Sequence, residues 1–239
     1  MSAQELFTNA NLDALPEARQ TLLRAIKQEG TASAGMLAEK LGLTREAARQ
    51  QLLLLQQQGL VSSRSKRSHG AGRPALLFSL TNEGEHLFPK HYDQLSVLLL
   101  DTITEEMGSS QTVRLLSAVS DRQVAQWQGR LAGLTLKQKL EALKGFYFEN
   151  DPYTQIEEDA DGIWLVEKNC PFLNLAIERP TLCSITVSTL MRLLGVEVIR
   201  EKRFQSGDSL CAFHVFPDRP LPPDFRFRLE DAPAAPQHS

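Results

Sequence analysis

The stretch from Thr31 to Leu80, TASAGMLAEKLGLTREAARQQLLLLQQQGLVSSRSKRSHGAGRPALLFSL, constrains this chain more than any other. Its punctuation predicts two short helices, a tight turn and a two-stranded ribbon. Ser33 is placed to cap a first helix with Met36, Leu37, Ala38 and Leu41 as its apolar positions. Gly42 stops that helix, because glycine takes a positive φ at a helix end at little cost. Thr44 caps a second helix in which Ala48, Leu52 and Leu55 fall at helical spacing and face inward. Gly59 ends it. A strand opens at Leu60-Val61 and returns as Ala75 to Leu80 after the turn-rich Ser68-His69-Gly70-Ala71-Gly72.

The charge of this stretch is as informative as its pattern. Between Leu43 and Pro74 stand Arg45, Arg49, Arg64, Lys66, Arg67 and Arg73 against the single acid Glu46, a local balance of +5 in a chain whose total is −3. Positive charge gathered on one patch of an acidic protein is the footprint of phosphate binding. Thr44, Arg45, Arg49 and Gln50 open a capped helix, where side chains reach base edges in a major groove. Arg64, Lys66, Arg67 and Arg73 line the ribbon and its glycine-rich tip. A charge run alone is usually a solvated face; here cap, glycine stop, register and basic ribbon agree, which favours double-stranded DNA as the partner.

LGLTREAARQQLLLLQQQGLV followed by GAGRPALLFSLTNEG resembles the winged helix-turn-helix of bacterial transcription regulators related to the ArsR and DeoR groups. The resemblance covers roughly the first 90 residues and implies DNA reading without indicating an operator.

The remaining chain has room for a second domain: 239 residues with 42% hydrophobic content can bury a substantial core. No run of about 18 uncharged apolar residues exists to span a membrane. MSAQELFTNANLDAL lacks the basic segment and apolar core of a secretory signal. Three cysteines, an odd number, fit a reducing cytoplasm better than a disulfide framework. No repeat of 20–50 residues is visible.

The expected architecture is mixed α and β, in four parts. A winged helix-turn-helix occupies 1–88, with a loose arm over 1–14 and a helix after Pro16 carrying Ala18, Leu22, Leu23 and Ile26. A helical dimerisation and linker region follows over 89–149. Its first helix, His91 to Met107, has Tyr92, Leu95, Leu98, Leu99, Thr102 and Ile103 on an apolar side, suited to a homodimer that reads a two-fold operator. An ordinary core helix is the alternative. Further helices are expected over Ser110–Val119, Asp121–Leu131 and Thr135–Phe148. An α+β sensor domain occupies 150–217, with hairpins Tyr153–Glu158/Ile163–Glu167 and Val196–Phe204/Ser209–Phe216 flanking a helix from Leu182 to Leu194. A proline-rich tail over 218–239 has the composition of a disordered segment at its end.

Cys170, Cys183 and Cys211 all fall in the third part. Three thiols from a loop, a helix start and a strand suit soft-metal coordination, and a Cys-Pro pair such as Cys170-Pro171 is familiar beside iron–sulfur clusters. Cysteine is equally at home as a small buried hydrophobe, and C-x12-C-x27-C is no compact metal motif. On the residues alone the two readings stand level.

NCPFLNLAIERPTLC followed by GDSLCAFHV resembles the C-terminal domain of SufR-type regulators, repressors that bind a [4Fe–4S] cluster and control cluster-assembly genes. The resemblance implies Cys170, Cys183 and Cys211 as cluster ligands. A fourth is not evident. Glu197 lies where some relatives carry a further cysteine. His214 stands at C-x2-H from Cys211, but residues three apart on a strand face opposite sides. Glu167, Glu178 and Asp208 read as solvated acids. A zinc-binding or thiol-redox regulator without a cluster is the alternative. No phosphate-binding loop, nucleophile elbow or HExxH motif suggests an enzyme.

Overall fold

The structure, a computed structural model, describes residues 12–66, 75–146, 152–160 and 162–230. It is mixed α and β, with two antiparallel sheets, one in each of two compact units that meet in sequence after Lys90.

In the first unit, helices α1 (Glu17–Glu29), α2 (Ala34–Leu41) and α3 (Arg45–Gln57) accompany a sheet of β1 (Ala32–Ser33), β2 (Val61–Lys66) and β3 (Ala75–Leu80), in the order β1-β3-β2. The caps fall at the expected places. The Ser33 hydroxyl accepts from the Met36 N–H, the Thr44 hydroxyl from the Ala47 N–H, and Gly42 takes φ 66°. Leu22, Leu23 and Ile26 of α1 meet Leu37, Leu52, Leu55, Leu60 and Phe78 in one buried core. Two expected positions differ. Ala18 and Met36 are exposed, and Ala25 is buried in α1 instead, because the three helices bury a narrower stripe than the full apolar pattern. The expected arm also differs, since Leu12 begins a 3-10 turn and is buried in this core; residues 1–11 lie outside the described residues. A short helix α4 (Asn82–His86), capped by Thr81, closes the unit, and Gly84 passes the Leu60 carbonyl so closely that a Cβ there would collide with it.

The second unit holds α5 (Tyr92–Met107), α6 (Ser109–Leu131), α7 (Leu136–Phe146), α8 (Leu173–Glu178) and α9 (Cys183–Leu194). Its sheet has β4 (Thr154–Glu158), β5 (Ile163–Glu167), β6 (Val196–Lys202) and β7 (Cys211–Pro220) in the order β4-β5-β7-β6. Ser110 to Leu131 forms one continuous helix, not two, since Ser120 and Asp121 carry no breaker, and the Ser120 hydroxyl is buried against Thr189 of α9 at 3.0 Å. Val124, Leu131, Leu140 and Leu143 from α6 and α7 share a core with Leu165, Val187, Leu190, Val198 and Phe213. The helices expected as a separate linker therefore belong to the same unit as the sheet. The proline-rich tail also packs, at least to Glu230. Arg228 N–H donates to the Ser188 hydroxyl at 2.9 Å, and Glu230 N–H to the Ser184 hydroxyl at 2.9 Å. Serines on an apolar helix provide that docking, a signal composition does not carry. Of the last dozen residues, expected to be disordered, Arg228 and Glu230 are held in this way because the α9 serines bond their backbone, and 231–239 lie outside the described residues. Among the described residues no helix is long and apolar enough to cross a membrane.

Candidate functional site

The three cysteines are delivered by three different elements, and each has a local reason for its place. Cys170 lies three residues beyond β5, in the turn that leads to α8, and its carbonyl accepts from Leu173 N–H at 3.2 Å. Cys183 opens α9 after a 3-10 turn at Pro180–Leu182, where Pro180 supplies a preset φ for the turn. Cys211 is the first residue of β7. All three are reduced thiols, Cys211 buried and the others half-buried, and Cys170 feels the charge of both Cys183 and Cys211. The fold therefore gathers thiols that are 41 residues apart in sequence, from Cys170 to Cys211.

The surroundings are polar in a way that the strand pattern would not lead one to expect. Along β5, Ile163, Leu165 and Glu167 share one face, and Glu167 is opposite Cys211 in the ladder. Along β6, Val198 and Arg200 share a face, with Arg200 opposite Phe213. That sheet face is apolar at Leu165, Phe213, Val215 and Val198, and polar at its end, where Glu167 is 7% and Arg200 4% exposed. Arg200 bonds to both Cys183 and Cys211 and pairs with Glu230, at 2.7 Å from Nη2 to Oε2. Gln205 Nε2 donates to Cys183 Sγ at 3.0 Å.

Burial governs the thiols. It pushes Cys170 up to about 12, and the nearby negative charge of Glu167, Cys183 and Cys211 adds to that. Burial likewise raises Cys183 and Cys211, opposed in both by Arg200. Arg200 itself is disfavoured as a cation by burial, yet the facing Cys183 and Glu230 raise its affinity for its proton. The pocket thus holds a fixed positive charge and an amide donor beside sulfur, a setting that stabilises anionic thiolates once something ligates them.

A buried guanidinium and an N–H donor to sulfur are groups of the kind that neutralise thiolate charge. Among the described residues no three of the His, Cys, Asp and Glu side chains are grouped to hold a metal ion. A single zinc ion needs every sulfur about 2.3 Å away.

Several expected candidates fall elsewhere. His214 stacks on Trp164 with ring centroids 4.1 Å apart and pairs with Glu201 at 3.0 Å, on the strand face opposite Cys211. Glu197 is bound by Arg219 at 3.0 Å and Arg228 at 3.3 Å. Asp208 accepts from Arg203 N–H at 2.9 Å, and Glu178 is exposed. Glu167, read from sequence as a solvated acid, is buried, because it occupies an inward register position. The same alternation, applied to IWLVE and VEVIR, would have singled out Glu167 and Arg200.

The second candidate surface lies on the first unit. Thr44, Arg45, Arg49 and Gln50 are all exposed at the start of α3, on the side opposite the buried Ala48, Leu52 and Leu55. Arg49 forms a bidentate pair with Glu46, at 3.0 and 2.8 Å. Such an exposed pair is weak and readily exchanged for a phosphate. Arg64 is exposed on β2 and Lys66 ends that strand. Arg67, Arg73 and the glycine-rich tip lie outside the described residues.

No protein family matches this chain, and no curated protein matches it either.

Proposed function

We propose that this chain is a dimeric DNA-binding transcription regulator, a repressor, that senses a [4Fe–4S] cluster held by Cys170, Cys183 and Cys211 and controls cluster-assembly or related genes. The observation that carries the reading is the approach of three thiols from a turn, a helix start and a strand start, two of them, Cys183 and Cys211, beside the buried Arg200. A bound cluster would supply a centre that is lost or altered with iron supply, oxidants or nitric oxide. The chain's own residues do the rest. The cysteines give up three protons on loading, so uptake is favoured by rising pH. Arg200 offsets the thiolate charge, and Gln205 donates to Cys183 sulfur.

On this reading the first unit is a winged helix-turn-helix. α3 enters a major groove with Arg45, Arg49 and Gln50 toward base edges, and the β2–β3 ribbon, with Arg64, Lys66, Arg67 and Arg73, follows the backbone. α5 supports a homodimer: none of its residues is buried, and Tyr92, Leu95, Leu98 and Leu99 are 62%, 55%, 62% and 54% exposed. An apolar stripe of this kind marks a protein contact, and a two-fold operator requires a symmetric reader.

Zinc at the same cysteines is the alternative occupant, distinguished by metal analysis. Direct thiol oxidation is disfavoured by burial, which keeps the thiols protonated, whereas thiolate is the reactive form. DNA reading is tested by selecting duplexes from a random pool and titrating the winner against salt. Arg45→Ala and Arg64→Ala are each expected to weaken binding and to lower the slope of log K against log salt by about 1. Slopes and affinities unchanged in both variants would remove these residues from the interface.

A further inference from the structure

We infer that the segment from Leu221 to Glu230 is a latch on the Arg200 side of the cysteine pocket: it seats through the Glu230 carboxylate and, when it lifts, opens the way to Cys183. The inference concerns access to the cysteines and holds whatever they bind.

After β7 ends at Pro220 the chain forms no further helix or strand as far as Glu230, yet it is firmly docked. Its first half packs in the ordinary way. Leu221 and Phe225 lie against the core of the unit, and Leu221 N–H donates to the Gly195 carbonyl at 3.2 Å. Its second half is held by side chains instead. The Ser188 hydroxyl accepts from Arg228 N–H at 2.9 Å and donates to the Arg228 carbonyl at 3.1 Å, and the Ser184 hydroxyl accepts from Glu230 N–H at 2.9 Å. Both serines are fully buried on α9, among the core positions Val187, Leu190 and Met191. Buried hydroxyls are costly unless they are bonded, and the segment supplies the partners. Four residues apart, the two serines lie on one face of the helix and form a polar track for it. The Arg228 guanidinium adds bonds to Glu197 at 3.3 Å and to the Val198 carbonyl.

The segment brings Glu230 to Arg200. Arg200 Nε donates to Oε1 at 3.1 Å, Nη2 stands 2.7 Å from Oε2, and the two side chains are 2% and 8% exposed. The same guanidinium bonds to Cys183 and Cys211, and Gln205 donates to Cys183 Sγ at 3.0 Å. Cys183 and Ser184 are neighbours on α9. Glu230 is thus tied through its N–H to the residue beside the thiol, and through its carboxylate to the cation that the thiol faces. Lifting Glu230 uncovers Arg200 and removes a neighbour from the Cys183 site. Two features make this a latch and not a fixed wall. A segment held to side chains, without a ladder of its own, opens locally at less cost than a helix or a sheet strand. Burying two charges also uses up much of what their attraction returns, so the ion pair locates the segment more than it locks it.

The test uses the full chain, reduced and treated with chelator, with circular dichroism to confirm folding. Two quantities are read at one pH: amide hydrogen exchange over 221–230, and the rate at which Cys183 takes up N-ethylmaleimide, with Cys170 as the reference thiol in the same molecule. In wild type the amides of 226–230 should exchange well before those of α9. Ser184→Ala combined with Ser188→Ala removes three bonds to the segment and leaves Arg200, Glu230 and Gln205 in place. This variant should speed both the exchange at 226–230 and the labelling of Cys183 by about tenfold or more, with Cys170 unchanged. Glu230→Ala should act in the same direction. Exchange at 226–230 of wild type as slow as in α9 would make the segment a fixed part of the core and overturn the latch. Faster exchange in both variants with Cys183 labelled no faster than in wild type would overturn its control of Cys183. Neither result depends on iron uptake, so the inference and the cluster reading fail separately.

Discussion

Single side chains set the terms at both candidate surfaces. Cys170 is a thiol that burial has pushed from its ordinary 9.0 up to about 12. At pH 8 its thiolate is scarce, so the folded, metal-free protein should react with iodoacetamide at least about tenfold more slowly at Cys170 than the urea-unfolded chain does. The same shift sets a direction for stability. Above about pH 9 the unfolded chain releases the Cys170 proton while the folded chain keeps it, so the unfolded state binds fewer protons and stability falls with rising pH until about pH 12. Urea midpoints of the metal-free protein should decline between pH 8 and pH 10, and Cys170→Ser should flatten that decline. In the first unit Gly84 has a different constraint, since any Cβ would strike the Leu60 carbonyl oxygen. Gly84→Ala forces backbone to move and should cost about 1–3 kcal/mol, measurable by urea unfolding. A cost below about 0.5 kcal/mol would mean that α4 relaxes without effort.

At the scale of elements, local signals decided what could be read from sequence. The caps at Ser33 and Thr44 and the stop at Gly42 act over three or four residues, so helices α2 and α3 were legible almost to their ends. The hairpin of β4 and β5 and the helix α9 were legible for the same reason, through the Gly162 turn and the Gly195 stop, φ 81°. What tertiary contact decides was not. Glu167 and Arg200 carry the polarity of surface residues, and only the ladder puts Glu167 opposite Cys211 and Arg200 opposite Phe213 on the same buried face. α8 lies between two cysteines without caps of its own; it is held to α5 by Arg179 on Asp101 and by Asn174 on Asp93 at 3.0 Å. The hydrogen bond and charge of Arg179 keep Asp101 below its usual carboxylate range. α5 itself meets α6 at the Thr104–Thr112 contact at 2.8 Å, with Val97 and Leu100 half-buried and Leu95 and Leu98 exposed. Leu95→Asp and Leu98→Asp place charge in the proposed dimer contact while burying nothing in the monomer. Each should shift sedimentation from dimer to monomer without loss of helicity; an unchanged dimer would move the interface elsewhere.

For the whole molecule, the sequence order matters as much as either site. The first unit ends at Lys90 and α5 begins two residues later, so the proposed dimer helix follows the proposed reader directly in the chain. Within the second unit, the segment from Cys170 to Cys183 contains α8, whose ties to α5 through Asp93 and Asp101 connect the cysteines to that helix. A regulator needs such a connection, but connection alone does not regulate. The cluster must bind more tightly in one arrangement of the dimer than in the other, and by linkage DNA must then alter cluster affinity by the same factor. All of this rests on whether the three cysteines hold iron and sulfide. The direct measurement is the visible spectrum, with iron and sulfide analysis, of anaerobically reconstituted wild type beside Cys170→Ala, Cys183→Ala and Cys211→Ala. Broad absorbance near roughly 400 nm with matching iron and sulfide, lost in each variant, is the expected result. Protein that stays colourless and iron-free, or colour that survives all three substitutions, would contradict it.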